Sequence, residues 1–97
     1  MPSYILLIKL TDQGARDAKD SPNRVQAAQK EAEKFGGKLT IYYTFGEYDT
    51  VGILEAPSDE AALAFVSQLV SLGNVRTTTL KAFTVEEAEK SISGKLS

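Results

Sequence analysis

The chain has no cysteine and no histidine among its 97 residues. Without cysteine there are no disulfides, no thiolate nucleophile and no thiolate metal site, and nothing marks an oxidising compartment. Without histidine the commonest general base, metal ligand and haem ligand are all gone. A metal site would have to be all oxygen, suited to Mg²⁺ or Ca²⁺, and no carboxylate cluster has such spacing. No cofactor is expected. A strong positive charge is also lacking: the net charge is −2, which argues against nucleic acid as a partner. Long hydrophobic runs are missing too. Tyr4-Ile5-Leu6-Leu7-Ile8 stops at Lys9, too short for a membrane span and without the layout of a signal peptide, so a cytoplasmic location is expected and no membrane partner.

What is present fits one globular domain over residues 1–97, with 42% hydrophobic and 25% charged residues and no room for a second core. A chain this short buries only about 60% of the surface its unfolded form exposes.

Residues 3–10 read as a strand apolar on both faces. Thr11 or Asp12 can cap a short helical turn to about Lys19. Ser21 as N-cap and Pro22 at the first helical position start a long helix. Its stripe is Val25, Ala28, Ala32 and Phe35, and Gly36-Gly37 ends it. Residues 38–45 form a second strand, with Leu39, Ile41, Tyr43 and Phe45 on one face and Lys38, Thr40, Tyr42 and Thr44 on the other. Gly46-Glu47-Tyr48-Asp49 is a hairpin loop, with glycine for positive φ and aspartate for a local side-chain turn. Residues 50–56 form a third strand. Ser58 caps a second helix whose stripe is Ala62, Phe65, Val66, Leu69 and Leu72, closed by Gly73. The β-prone run Thr77–Thr79 lies in a fourth strand over 75–83. Thr84-Val85-Glu86-Glu87 is a capping box opening a helix to about Ile92, with 93–97 frayed.

The order β-α-β-β-α-β is the α+β, ferredoxin-like pattern. Right-handed crossovers give an antiparallel sheet of order 4-1-3-2 with both long helices on one face. The other face would expose apolar residues, which predicts a homodimer packed sheet to sheet. The same layout gathers Asp12, Gly46, Glu47, Tyr48, Asp49, Asn74 and Arg76 at one end, a candidate site for a small organic ligand. There Arg76 can pair with Asp49 or Glu47, or grip a carboxylate ligand.

Phe45-Gly46-Glu47-Tyr48-Asp49 ahead of the strand from Val51 resembles the signature of the GYD domain family. Leu10–Gly14, Asp20-Ser21-Pro22 and Gly73–Thr79 support the likeness. The resemblance implies a dimeric α+β barrel, in a superfamily shared with small cofactor-free monooxygenases, and no assigned reaction. The Gly-x-Tyr-Asp hairpin is also similar to one in the ligand-sensing domains of leucine-responsive regulators. Three functions are consistent with these residues: a homodimeric small-molecule binding or sensing module with its ligand near the hairpin, a cofactor-independent monooxygenase- or isomerase-like enzyme using the sheet–helix cleft, and an assembly subunit.

Overall fold

The computed structural model describes residues 1–96. The elements run β1 (Ser3–Leu10), α1 (Asp12–Arg16), a 3₁₀ turn (Ala18–Asp20), α2 (Ser21–Lys34), β2 (Lys38–Tyr43), β3 (Thr50–Glu55), α3 (Asp59–Ser71), β4 (Val75–Ala82) and α4 (Val85–Leu96). The four strands make one antiparallel sheet, β2-β3-β1-β4. This is the ferredoxin-like arrangement expected from the order of elements.

The two faces of the sheet differ as the register dictates. On one face successive cross-strand rows read Leu39–Leu54–Tyr4–Lys81 and Ile41–Gly52–Leu6–Thr79. Tyr4, Leu6, Ile8, Leu39 and Leu54 on that face are buried with Ala32 of α2 and Ala62 and Phe65 of α3. Phe35, just past α2, meets Phe65 edge-on at 6.3 Å and joins the two helices. The apolar stripes of α2 and α3 therefore close on the same strands, and β1 supplies the centre of the core.

Local signals set most of the boundaries. The Ser58 hydroxyl accepts the amide of Ala61 and starts α3. Thr84 and Glu87 exchange reciprocal side-chain bonds at the start of α4, a closed capping box. The bonds from the Thr84 backbone and hydroxyl hold the Glu87 carboxyl below its ordinary pKa. Gly36 (φ 82°) and Gly73 (φ 83°) take the left-handed backbone that follows α2 and α3, where a side chain would be strained.

Five boundary readings need correction. Asp20, not Ser21, holds the cap position of α2, and its side chain makes no cap bond to the helix. Its carboxylate accepts from Asn23 instead, while the Ser21 hydroxyl bonds the Tyr43 hydroxyl at 2.9 Å. Strand β2 stops at Tyr43, so Phe45 lies outside the sheet, fully exposed. Strands β3 and β4 each end one residue early, at Glu55 and Ala82. Helix α4 runs on to Leu96, past the expected end at Ile92; of the tail expected to fray, Ser97 lies outside the described residues. No helix among them is long and apolar enough to cross a membrane.

Candidate functional site

Three regions carry polar chemistry or open apolar surface. The first is the uncovered sheet face. Its middle rows read Thr40–Ile53–Ile5–Leu80 and Tyr42–Val51–Leu7–Thr78 across all four strands. Ile53, Leu80 and Tyr42 are 41%, 45% and 58% exposed, although each has strand neighbours on both sides or at its edge. Lys9 opposite Arg76 bounds these rows at the hairpin end, and Lys38 opposite Glu55 bounds them at the other. The result is an apolar band with charged ends.

The second region is the hairpin end, where the sequence placed its candidate residues. The structure does gather this end: the Thr11 amide donates to the Asn74 carbonyl, and the Asp49 amide to the Ile8 carbonyl. Gly46 has φ 93° and open space around it. Lys9 meets Glu47 at 3.5 Å and lies 5.3 Å from the centre of the Tyr48 ring. Arg76 was expected to pair with Glu47 or Asp49. Glu47 meets Lys9 instead, the residue directly opposite Arg76 in the strand register. The Asp49 carboxylate accepts the amide of Leu10 at 2.8 Å, a bond across the sheet end where a local turn bond was expected. Asp12 is exposed in the first turn of α1. Asn74 accepts from the Gln13 side chain at 3.0 Å.

The third region lies between α2 and α3. A cleft of about 200 Å³ is lined by Ala27 and Ala28, by Phe65 and Leu69, and by Asn74 and Val75 at the start of β4. Arg24, Glu31 and Gln68 stand around it. Arg24 donates to the backbone carbonyls of Asp17 (2.9 Å) and Gly14 (3.1 Å). Gln68 donates to Glu31 at 2.9 Å, and Lys34 meets the same carboxylate at 3.5 Å. Sequence reasoning missed Arg24. A signal existed: a cation in the first turn of a helix opposes the helix dipole and so asks for a local reason.

One tyrosine with a perturbed acidity occurs among the described residues, outside the cleft. The Tyr4 hydroxyl donates to Asp59 at the start of α3, and Lys81 of β4 grips the same carboxylate at 3.0 and 3.1 Å. The bond to Asp59, then burial, pushes the Tyr4 phenol up to about 12. The Tyr4 hydroxyl and then Lys81 hold the Asp59 carboxyl below its ordinary value. A phenol held that firmly protonated is a poor proton donor at neutral pH. Its physical effect is to clamp the first turn of α3 to β1 and β4. Among the described residues, no three acidic side chains gather as a metal site would need.

Comparison with known proteins gives three findings. The family model of the GYD domain matches residues 4–92. A Thermus thermophilus protein described as a glutamine synthetase and cystathionine beta-lyase binding protein is 35% identical over 89 residues, 90% of this chain and 94% of its own. The crystal structure of TTHA0845, also from Thermus thermophilus, is similar in fold, with a TM-score of 0.58 and 29% identity, covering 88% of this chain and 96% of that one.

Proposed function

This chain belongs to the GYD domain family, and from that premise we propose that it is a binding module that pairs with a second copy of itself through the open sheet face. The observation that carries the reading is the double apolar row Thr40–Ile53–Ile5–Leu80 and Tyr42–Val51–Leu7–Thr78, left uncovered by both long helices. A contiguous apolar band of this kind is uncommon on a lone protomer. Two-fold pairing would cover the band on both copies with one self-complementary contact. The charged ends, Lys9 and Arg76 against Lys38 and Glu55, would set the register of the pair.

The Thermus thermophilus relative is named for binding two enzymes. We extend that role to this chain: the paired module docks onto a larger protein, with glutamine synthetase and cystathionine beta-lyase as the first candidates. In this reading Asp12, Gly46, Glu47, Tyr48, Asp49, Asn74 and Arg76 form the recognition edge beside the interface, where a small organic ligand can tune docking. Their mixed charge and the half-buried Tyr48 ring suit a polar or amphipathic group.

Native mass spectrometry of the protein as purified tests self-pairing and ligand retention together. A two-subunit mass is expected. A single-subunit mass at micromolar concentration would remove the sheet-face reading. Calorimetric titration against the two enzymes tests docking separately, and no heat with either would remove that part alone.

A further inference from the structure

We infer that the cleft between α2 and α3 is a binding site for a small organic carboxylate with an apolar body, its head held by Arg24 and the side-chain amide of Asn74. The assignment does not depend on the sheet face, because the cleft lies among the helices on the opposite side.

Size and lining define the body of the ligand. The cavity of about 200 Å³ has room for roughly six or seven waters at liquid density. That is below the usual range for drug-sized ligands, so the occupant is one ring or a short alkyl chain. Ala27, Ala28, Phe65, Leu69 and Val75 offer it carbon on several sides.

The polar groups define the head. Both bonds that fix the Arg24 guanidinium go to neutral carbonyls, those of Asp17 and Gly14. Among the described residues Arg24 forms no ion pair. It is only partly exposed, so its charge is oriented, partly desolvated and unmatched, with the rest of its donor fork unengaged. Asn74 uses its side-chain oxygen to accept from Gln13, and its amide nitrogen makes no hydrogen bond among the described residues. Helix α1 brings the two together. Gly14 accepts from Arg24 and packs so closely on Asn74 that a Cβ there would lie 2.1 Å from the Asn74 carbonyl oxygen. Glu31, the acidic residue of the lining, is paired with Lys34 and accepts a hydrogen bond from Gln68. Donors that the protein leaves unengaged, at the solvent-open edge of the cleft, thus sit beside carbon, and the site selects an anionic head over a cationic or neutral one. A guanidinium fork suits the two coplanar oxygens of a carboxylate.

The test is a ¹⁵N-resolved NMR titration of the intact protein with 3-phenylpropionate and with its neutral counterpart 3-phenylpropanamide. The acid should shift the amides of α2, α3 and Val75 and bind about tenfold or more tightly than the amide, the usual scale for a charge-assisted contact. Arg24→Gln should bring acid and amide to parity. Ala27→Leu, which narrows the cavity and leaves Arg24 in place, should weaken both. Equal affinity of the unaltered protein for acid and amide, shifts centred on the hairpin or sheet face, no saturable shift at millimolar ligand, or undiminished binding by Ala27→Leu would each overturn the assignment. The decisive acid–amide comparison uses the unaltered protein, so it stands even where a variant folds poorly. Subunit count does not enter it, so its failure is separate from that of self-pairing.

Discussion

Replacing Ile53 by glutamate puts a carboxylate into the middle of the open sheet face. Ile53 lies between Ile5 and Thr40, in the row that ends at Leu80. Full burial of an isoleucine or leucine side chain is worth about 1.5–3 kcal/mol. Ile53 and Leu80 retain 41% and 45% of their surface, so closing a partner over these two gains roughly 1–3 kcal/mol per subunit, and twice that for a symmetric pair. Ile53→Glu removes its share of this gain. It also forces an unpaired carboxylate into the contact on each subunit, at a cost of several kcal/mol per charge. Association should weaken by roughly a thousandfold or more. In the separated subunit the new side chain meets water, so the fold should lose only about 1 kcal/mol. Sedimentation velocity across a dilution series reads the first effect, and urea unfolding at low concentration reads the second. A variant that sediments as a pair with an unaltered dissociation constant would refute the reasoning, since no interface buries two bare carboxylates without penalty.

Three further outcomes follow from the core and its clamps. Leu6 is fully buried between Gly52 and Thr79, so Leu6→Ala should lower the unfolding free energy by about 2–5 kcal/mol in urea melts. The Tyr4 phenol is raised from 10.0 to about 12 in the folded chain. Its contribution is therefore complete below pH 10 and is lost as pH climbs from there towards 12, whereas the lowered Asp59 contributes above its free value of 3.8 and is lost in acid. Stability profiles should show both losses, a phenolate absorbance titration should find one late tyrosine, and Tyr4→Phe should remove that late step and flatten the alkaline limb. Gly14→Ala drives a Cβ into the Asn74 carbonyl. It should cost roughly 1–3 kcal/mol through overpacking and speed hydrogen exchange at the Thr11 amide, which bonds that carbonyl.

Signals carried by neighbours in sequence proved legible. Ser58 capping α3, the Thr84–Glu87 box and the glycines after the two long helices all act within about one turn of chain, and each appears where expected. The sheet order followed from element order alone. Strand β1 read as apolar on both sides, and only the register separates the buried Tyr4, Leu6 and Ile8 from the partly open Ile5 and Leu7. Two of the misses share one cause: a partner distant in sequence outbids a local one. Asp49 looked like a turn residue and reaches Leu10. Ser21 looked like a cap and bonds Tyr43. Arg76 was open to Glu47, Asp49 or a ligand carboxylate, and Glu47 pairs with Lys9, which lies opposite Arg76 in the strand register. At the candidate site, the gathering of the hairpin end with α1 and β4 was legible from topology. Arg24 was not, because its two anchors are backbone carbonyls, which leave no trace in side-chain identity.

The Asp49 carboxylate has a consequence for how this protein can vary. It accepts the Leu10 amide while its own amide donates to Ile8, so one residue adds a rung to the sheet just before β3 begins. Because that rung ties Asp49 to β1 through both its backbone and its side chain, the alignment of β3 on β1 does not lean on the bend before it. Residues 45–47 are thereby released to lengthen, shorten or change character without dragging the sheet out of step. Such a tip is free to be reshaped for new company while the body behind it stays the same.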